Sequence, residues 1–383
     1  MDSDLIVVGG GPVGLALARA VRGCSVSVVA RPAPARQEPG FDARVYAISP
    51  GNQAFLQSIG AWRALDPDRV TPVQAMRVHG DRAGAQIVFD AYRAGVPELA
   101  WTVEDRRLHG ALLQAAHAAD HIRLVDGDIR ALDIDDAGAR VGLSDGRELT
   151  ARLIIGADGA RSVVRAAAGI GIDEADYGQK AVVANLRCGL PHRNTAYQWF
   201  QGGPVLALLP LPGDRVSMIW SLPAVDAEGV AALEPEALCA KVSSASNDAL
   251  GKLEVETPAQ TYPLRRMVAR RLVGRRVALA GDAAHVLHPL AGQGLNIGLQ
   301  DARELAAVLS ARAPGTDPGT AALLRRYERR RAEPILAMDQ TVNGLFRLFD
   351  AEGRGLAALR NAGLNLVGAL PVLKNLLMRQ AMR

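Results

Sequence analysis

Aromatic side chains are scarce in this sequence: four Trp, six Tyr and six Phe make up 4% of its 383 residues. So few rings cannot supply the repeated stacking platforms that hold single-stranded nucleic acids, and nucleic acid is not an expected partner. Cysteine is scarcer still. Cys24, Cys188 and Cys239 are odd in number, far apart and never in a CxxC pair, which excludes a disulfide framework and a thiolate zinc site and points to a reducing compartment. No stretch approaches the roughly 18 uninterrupted apolar residues of a spanning helix. The first residues carry Asp2 and Asp4 in place of a basic stretch, and their apolar run ends at Gly9. They read as a strand and not a secretory leader, so the protein is expected in the cytoplasm. An excess of one charge is also missing: 44 Lys and Arg face 40 Asp and Glu, enough for only a weak pull on anions. Arginines cluster at Arg265–Arg266, Arg270–Arg271, Arg275–Arg276 and Arg329–Arg331 without interleaved aromatics, and these read as solvated faces. Internal repeats and low-complexity segments do not occur.

What is present suits a globular chain of two or three domains, or one large discontinuous domain with an insertion. Asp4 to Val8 is a short apolar strand of the kind buried in a parallel sheet. GGGPVG follows at 9–14, then a helix to about Arg22 and a strand from Ser25 to Ala30. In that strand–turn–helix–strand order Gly9, Gly11 and Gly14 have GxGxxG spacing, the mark of a dinucleotide site. Gly9 permits the turn, Gly11 lets backbone approach a pyrophosphate, and Gly14 lets helix and strand pack closely. Gly11 and Pro12 open the helix whose N-terminal amides would hold the phosphates. An acidic residue that would bind the adenosine ribose is missing from the end of the second strand, which reads Val28-Val29-Ala30-Arg31. Either Arg31 or another loop takes that role, or the adenosine end is held loosely.

Two further apolar strands end in glycine and acid. Residues 152–155 run into Gly156-Ala157-Asp158-Gly159, and 277–280 run into Gly281-Asp282, then through Pro289, Gly292 and Gly294 to a helix carrying Leu295, Asn296, Leu299 and Ala302. Ligands of open parallel sheets lie at the carboxyl ends of strands, so all three turns can face one elongated ligand. The α/β material is interrupted by β-rich stretches at 73–100 and 181–262, and everything from 316 onward reads as helical.

The spacing of these three turns resembles the flavoprotein aromatic hydroxylases of the para-hydroxybenzoate hydroxylase fold. Within them the resemblance narrows to the ubiquinone-biosynthesis hydroxylases. It is carried by TAYQWFQGGPVLALLPLPGDRVSMIWSLP at 195–223, Tyr262-Pro263-Leu264 leading into GDAAH, HPLAGQGLN at 288–296, and LFRLF followed by RNAGLNLVGALPVLKNLLM near the C-terminus. The resemblance implies an α/β fold with a discontinuous Rossmann-like FAD-binding domain (1–72, 101–180 and 263–350), an inserted β-rich substrate domain (73–100 and 181–262) and a C-terminal helical segment (351–383). It implies FAD as cofactor and NAD(P)H as reductant. FAD contacts would come from Gly9, Gly11, Pro12, Gly14, Arg31, Arg44, Arg106, Asp158, Gly159, Gly281, Asp282, Gly292, Gly294, Leu295 and Asn296. Arg106 stands in VEDR where the family usually has VENR.

The implied activity is hydroxylation of an aromatic ring, that of a polyprenyl phenol or quinone precursor, with dioxygen as co-substrate. Asp282 would accept hydrogen bonds from ribityl hydroxyls, and amides around Gly292 and Gly294 with the helix dipole would stabilise negative charge on the reduced ring. Pro289, Leu290 and Gln293 are candidates for the pocket lining, and the strand Val205–Leu209 for its wall. His285 and His288 read as structural hydrogen-bonders, and two histidines lack a third ligand for a metal. The tail from Arg354 is basic and leucine-rich, suited to peripheral contact with an anionic membrane, with a biosynthetic complex or with its own domain. Two alternatives stay open: a hydroxylase of a soluble phenol outside quinone metabolism, and a non-catalytic FAD-bearing subunit of a biosynthetic complex.

Overall fold

The computed structural model describes residues 1–31, 40–80, 85–287 and 294–350, the last six as backbone alone. The chain opens with β1 (Ser3–Val8), α1 (Pro12–Ala20) and β2 (Val26–Ala30). β3 (Val45–Ile48), α2 (Pro50–Ser58) and β4 (Val70–Val73) follow, then β5 (Ala75–His79), β6 (Gln86–Asp90), the single turn α3 (Ala91–Ala94) and β7 (Ala100–Glu104). Next come α4 (Asp105–His117), β8 (Ile122–Asp126), β9 (Ile129–Ile134), β10 (Ala139–Leu143), β11 (Glu148–Gly156) and α5 (Val163–Ala167). A long β12 (Ile172–Cys188) leads to β13 (Thr195–Phe200), β14 (Val205–Leu211) and β15 (Arg215–Pro223). Then come α6 (Ala224–Ala231), α7 (Pro235–Ala245), β16 (Leu253–Val255) and β17 (Gln260–Ala269). The described chain closes with β18 (Val273–Gly274), β19 (Val277–Leu279), β20 (His285–Val286), α8 (Gly294–Ser310) and α9 (Ala321–Asp350).

The strands make three sheets. One runs in the order β18-β19-β11-β1-β2-β8, with β10 and β9 attached to β11. Its central pairs β19/β11, β11/β1, β1/β2 and β2/β8 are all parallel. A parallel sheet is covered on both faces, which explains why Leu5, Ile6 and Val7 in β1 and Leu153, Ile154 and Ile155 in β11 are all 0% exposed instead of alternating. At about 1.5–3 kcal/mol per fully buried aliphatic side chain, these runs anchor the sheet. Helices α1, α4 and α8 contribute Leu15, Leu108, Leu112 and Leu305 to the same core.

The second sheet has the order β20-β17-β12-β15-β14-β13-β5-β6, with β16 beside β12. Here alternation returns. Leu206, Leu208, Val216, Met218 and Trp220 face α6 and α7 in a separate core, while Ala207, Leu209 and Ile219 are half-buried on the opposite face. A small third sheet, β3-β7-β4, touches the second where the Thr102 hydroxyl donates to the Pro210 carbonyl at 2.5 Å. Strands β12 and β17 run through residues 180 and 263, so the second sheet is continuous across the expected boundaries there. Among the described residues no helix is long and apolar enough to cross a membrane.

The arginine clusters do not form uniformly solvated faces. Along β17 the doublet splits: Arg265 points outward, and Arg266 turns in to a two-pronged contact with Asp339 at 2.7 and 2.6 Å. Arg276 binds Asp317 in the same way, and Arg331 is only 3% exposed. Strand alternation separates Arg265 from Arg266, a turn carries Arg276 and a helix carries Arg331, and in each case the inward arginine meets a carboxylate that spacing along the chain does not reveal.

Candidate cofactor site

Helix α1 begins without a capping side chain. Gly11 is its N-cap, Pro12 its first residue, and no acidic residue lies in its first turn. Proline suits that position because its missing N–H has no intrahelical partner there, and the amides that follow stay available to a ligand. The glycines around them are there for different reasons. Gly9 has φ +113°, and an added Cβ would lie 2.1 Å from the Ala157 carbonyl oxygen; one at Gly14 would lie 2.0 Å from the Gly9 carbonyl oxygen. Both are required by the protein's own packing. Gly11 has an ordinary φ of −73°, and a Cβ there would meet nothing within 4 Å among the described residues. Its missing side chain leaves a cradle beside free amides, which fits a pyrophosphate.

The other two turns converge on this one. Because β19, β11 and β1 are parallel neighbours, their carboxyl ends lie along one edge of the sheet. Hydrogen bonds stitch the ends together: Gly9 N to Val29 O at 2.8 Å, Ala157 N to Val8 O at 2.8 Å and Ala280 N to Gly156 O at 2.9 Å. Gly281, at φ +62°, abuts Val13 of α1, and a Cβ on Gly298 of α8 would come within 2.7 Å of the same valine. Arg165, nearly buried, bridges two turns by donating to Ala283 O at 2.9 Å and Ala160 O at 2.7 Å. His109 of α4 lies 2.7 Å from the Gly10 carbonyl.

Asp282 has an exposed side chain, yet enough protein surrounds it that burial holds its carboxyl above the ordinary value, with His285 and Arg44 pulling the other way. An accessible carboxylate in so dense a surround sits at the floor of a cleft. Arg44 is exposed in the same cleft, its cationic form favoured by Tyr46, Asp105, Asp282 and Tyr262 against the cost of burial. Burial also drives the Tyr46 hydroxyl well above its ordinary range. The loop bearing Arg44 is fixed from below. Glu104, 2% exposed, accepts the Asp42 amide at 2.6 Å and both Arg69 Nε and Nη2 at 2.8 Å, and Asn185 of β12 donates to Asp42 O at 2.7 Å.

The remaining expected residues are placed as follows. Arg106 lies 3.3 Å from the Asp42 carboxylate, beside Arg44. Asp158 gives one oxygen to the amides of Val163 and Val164 at 2.7 and 3.3 Å, as a capping residue does, while its Oδ1 is buried with no hydrogen-bond partner among the described residues. Gly159 has φ +81° and open space beyond it. Arg31 is 83% exposed and paired with Asp128 at 2.5 Å, at the end of β2 and turned to the surface. Gly294 and Leu295 start α8, whose Gly298 packs against Gly281. The Asn296 side chain is occupied elsewhere: it accepts from Ser49 N and Asn52 Nδ2 at 2.9 Å and donates to Ala47 O at 2.8 Å, locking α8 to β3 and α2. His285 is 2% exposed and bonded to Asp301, in keeping with a structural role. His288, Pro289, Leu290, Gly292 and Gln293 lie outside the described residues. Of the strand Val205–Leu209, alternate residues belong to the core beneath α6 and α7, and Ala207 and Leu209 remain for the cleft-side face. His109, Arg165 and Asp301 carry no motif, and Glu104 in VEDR and Arg331 in an arginine cluster were not singled out as site residues.

Parallel strands with three glycine-bearing turns at one edge, and a mainly antiparallel sheet beside them, define a dinucleotide-cofactor protein of the α/β class. The chain belongs to the FAD binding domain family, whose pattern matches residues 2–341. It is 37% identical over 385 residues to the ubiquinone hydroxylase UbiL of Rhodospirillum rubrum, covering 99% of this chain and 89% of that protein. It is 34% identical over 396 residues to the 3-demethoxyubiquinol 3-hydroxylase of Escherichia coli, covering 100% and 97%. Among solved structures it resembles p-nitrophenol 4-monooxygenase PnpA from Pseudomonas putida, with a TM-score of 0.79, 19% identity and 99% and 98% coverage. It also resembles Klebsiella pneumoniae HpxO complexed with FAD and uric acid, with a TM-score of 0.74, 19% identity and 97% and 96% coverage. The fold and family expected from the motifs are thus borne out, and FAD is the family's cofactor.

Proposed function

We propose that this protein is a FAD-dependent monooxygenase that hydroxylates the aromatic ring of a polyprenyl phenol or quinone precursor, with dioxygen and NAD(P)H. The observation that carries the reading is the convergence of the Gly9–Gly14, Gly156–Gly159 and Gly281–Asp282 turns on one cleft that also holds Arg44. The substrate class is suggested by the ubiquinone hydroxylases that the chain matches over nearly its whole length.

The chemistry supplied by bound FAD is activation of dioxygen, so that ArH, O2, NAD(P)H and a proton give ArOH, water and NAD(P)+. The protein's part is binding, orientation and dryness. Amides at the start of α1 take the pyrophosphate over the open Gly11 cradle. Asp282 accepts hydrogen bonds from ribityl hydroxyls. Arg44 and the N-terminus of α8 place positive potential in the cleft, the helix end contributing about 0.5–2 kcal/mol to an anion when partly buried. Ile219 and Tyr262, packed against the cluster of Ala43, Ala181, Val183 and Leu264, with Ala207 paired to Ile219, form the apolar face that excludes water from the reacting ring. In this reading residues 1–72, 101–180 and 263–350 hold the cofactor and 73–100 with 181–262 cover the substrate, the two parts sharing β12 and β17. Arg106, Asp158 and Gly159 complete the cofactor contacts. Arg31 reaches the adenosine ribose by leaving Asp128, an exposed pair that costs little to break.

The test is to reconstitute the protein with FAD and follow NADH and NADPH oxidation with and without prenylated and unprenylated phenols, identifying product by mass spectrometry. Stimulated oxidation with a product one oxygen heavier is expected. Oxidation that no phenol accelerates, without product, favours a non-catalytic flavoprotein. Peripheral membrane contact through the basic tail is a further part of the proposal. Liposome co-sedimentation of the full chain and a chain truncated at Arg354 tests it, and equal binding by both rejects it.

A further inference from the structure

The Gly281–Asp282 turn is gripped from behind by groups that do not reach the cleft. Asp301 of α8 is 0% exposed, His285 2% and Arg331 of α9 3%. One Asp301 oxygen accepts the Gly281 amide at 3.0 Å and lies 2.6 Å from His285 Nε2; the other accepts Arg331 Nε at 2.6 Å. Arg331 is itself fixed by Gln300 Oε1 at 3.2 Å and Ile297 O at 3.3 Å. One turn of α9 earlier, the Tyr327 hydroxyl donates to Leu279 O at 2.8 Å, so the strand entering the turn is held by the same helix.

A carboxylate can be buried this deeply only when paired and hydrogen-bonded. A buried ion pair, however, adds little net stability over a well-packed apolar substitute, so stability alone does not account for this one. What it does locally is fix an amide. Gly281 is at φ +62°, and with its N–H drawn back toward Asp301 the next side chain, Asp282, is sent the other way, toward Arg44. Arg331, Asp301, His285, Asp282 and Arg44 then follow one another in a row, each carboxylate lying between two nitrogen-bearing side chains. The neighbours of each carboxylate agree with that row, His285 and Arg331 favouring ionised Asp301, and His285 and Arg44 favouring ionised Asp282.

We propose that Asp301 is a positioning residue for the cofactor turn: clamped by Arg331 and His285, its carboxylate holds the Gly281 amide and thereby sets how Asp282 enters the cleft. The proposal rests on the reading of the cleft as a FAD site. It is tested by titrating FAD into apoprotein, reading Kd from flavin fluorescence and the ring's surroundings from visible circular dichroism. Asp301→Asn keeps the shape and an acceptor but leaves Arg331 without its counter-charge. Its FAD Kd rises about ten- to hundredfold, the value of a hydrogen-bonded charge, and its visible dichroism changes. Asp282→Asn also weakens binding, and the double variant binds FAD within twofold of Asp282→Asn, because the effect of Asp301 passes through Asp282. A purely structural role would lower Tm and leave the two effects on Kd additive, and that result overturns the proposal. So does an Asp301→Asn protein that binds FAD within twofold of wild type. If Asp301→Asn does not fold, His285→Gln, which keeps the Asp301–Arg331 pair, is titrated instead. A threefold or greater weakening supports the proposal, and an unchanged Kd rejects it. Wild-type protein that takes up no FAD removes the cofactor reading as well, whereas equal binding by wild type and variant removes the positioning role alone.

Discussion

Replacing Gly11 by alanine separates what the nucleotide loop does for the fold from what it does for its ligand. The backbone at Gly11 is unstrained, and an added methyl meets no atom of the described residues within 4 Å. The protein's own loss is confined to exchanging a glycine N-cap for alanine, about 0.5–1.5 kcal/mol, or a few degrees in Tm. The methyl nevertheless stands where a pyrophosphate must approach the amides of α1. Losing one charge-assisted contact costs about 1.5–3 kcal/mol, so the FAD Kd should rise at least about tenfold while the apoprotein Tm falls by no more than those few degrees. Gly9→Ala is the control: positive φ and a 2.1 Å approach to Ala157 O make it disruptive to the fold itself. The assay pairs thermal melting of the apoproteins with FAD titration by fluorescence. A Gly11→Ala protein that binds FAD within twofold of wild type refutes the placement of the pyrophosphate over this loop.

Three other outcomes are expected. Since the Asp282 carboxyl is held above its ordinary value of 3.8, it gains a proton at a higher pH than a free aspartate does. FAD affinity should therefore fall on mild acidification as the acceptor is lost, and Asp282→Asn should flatten that limb of a Kd-against-pH curve. Asp301 is held below its ordinary value by His285 and Arg331 despite burial; a depressed carboxylate contributes stability above about pH 4 and loses it as pH falls further. Melting of Asp301→Asn should accordingly be less steep on the acid side than that of wild type. Arg165→Met removes two donors that tie Ala160 to Ala283; a loss of roughly 2–4 kcal/mol in urea melts is expected, with faster proteolysis near residues 156–162, and unchanged melting would show that the two turns hold together without it.

How much of this was legible beforehand follows from the range of each interaction. The βαβ opening, the three strand-end turns and the parallel sheet were readable because apolar runs and glycine spacing act within a few residues. Gly9, Gly11 and Gly14 looked alike in the motif, yet Gly9 is constrained by Ala157, 148 residues away, Gly14 by the carbonyl of Gly9 once the turn has folded, and Gly11 by no atom of the described residues. The arginine clusters misled because their partners, Asp317, Asp339 and Asp301, lie 30 to 73 residues off.

The sequence by itself determined the class of fold and the kind of ligand, since both rest on local rules: strand burial, turn geometry and helix-end amides. Only the tertiary structure decided which residues stand behind the site. Asp301 and Arg331 became neighbours of Gly281 when α8 and α9 packed against the end of β19. By the same packing the Asn296 side chain was joined to Ser49 and Asn52. Burial makes such contacts strong by removing water, and burial belongs to the assembled fold and not to any stretch of chain.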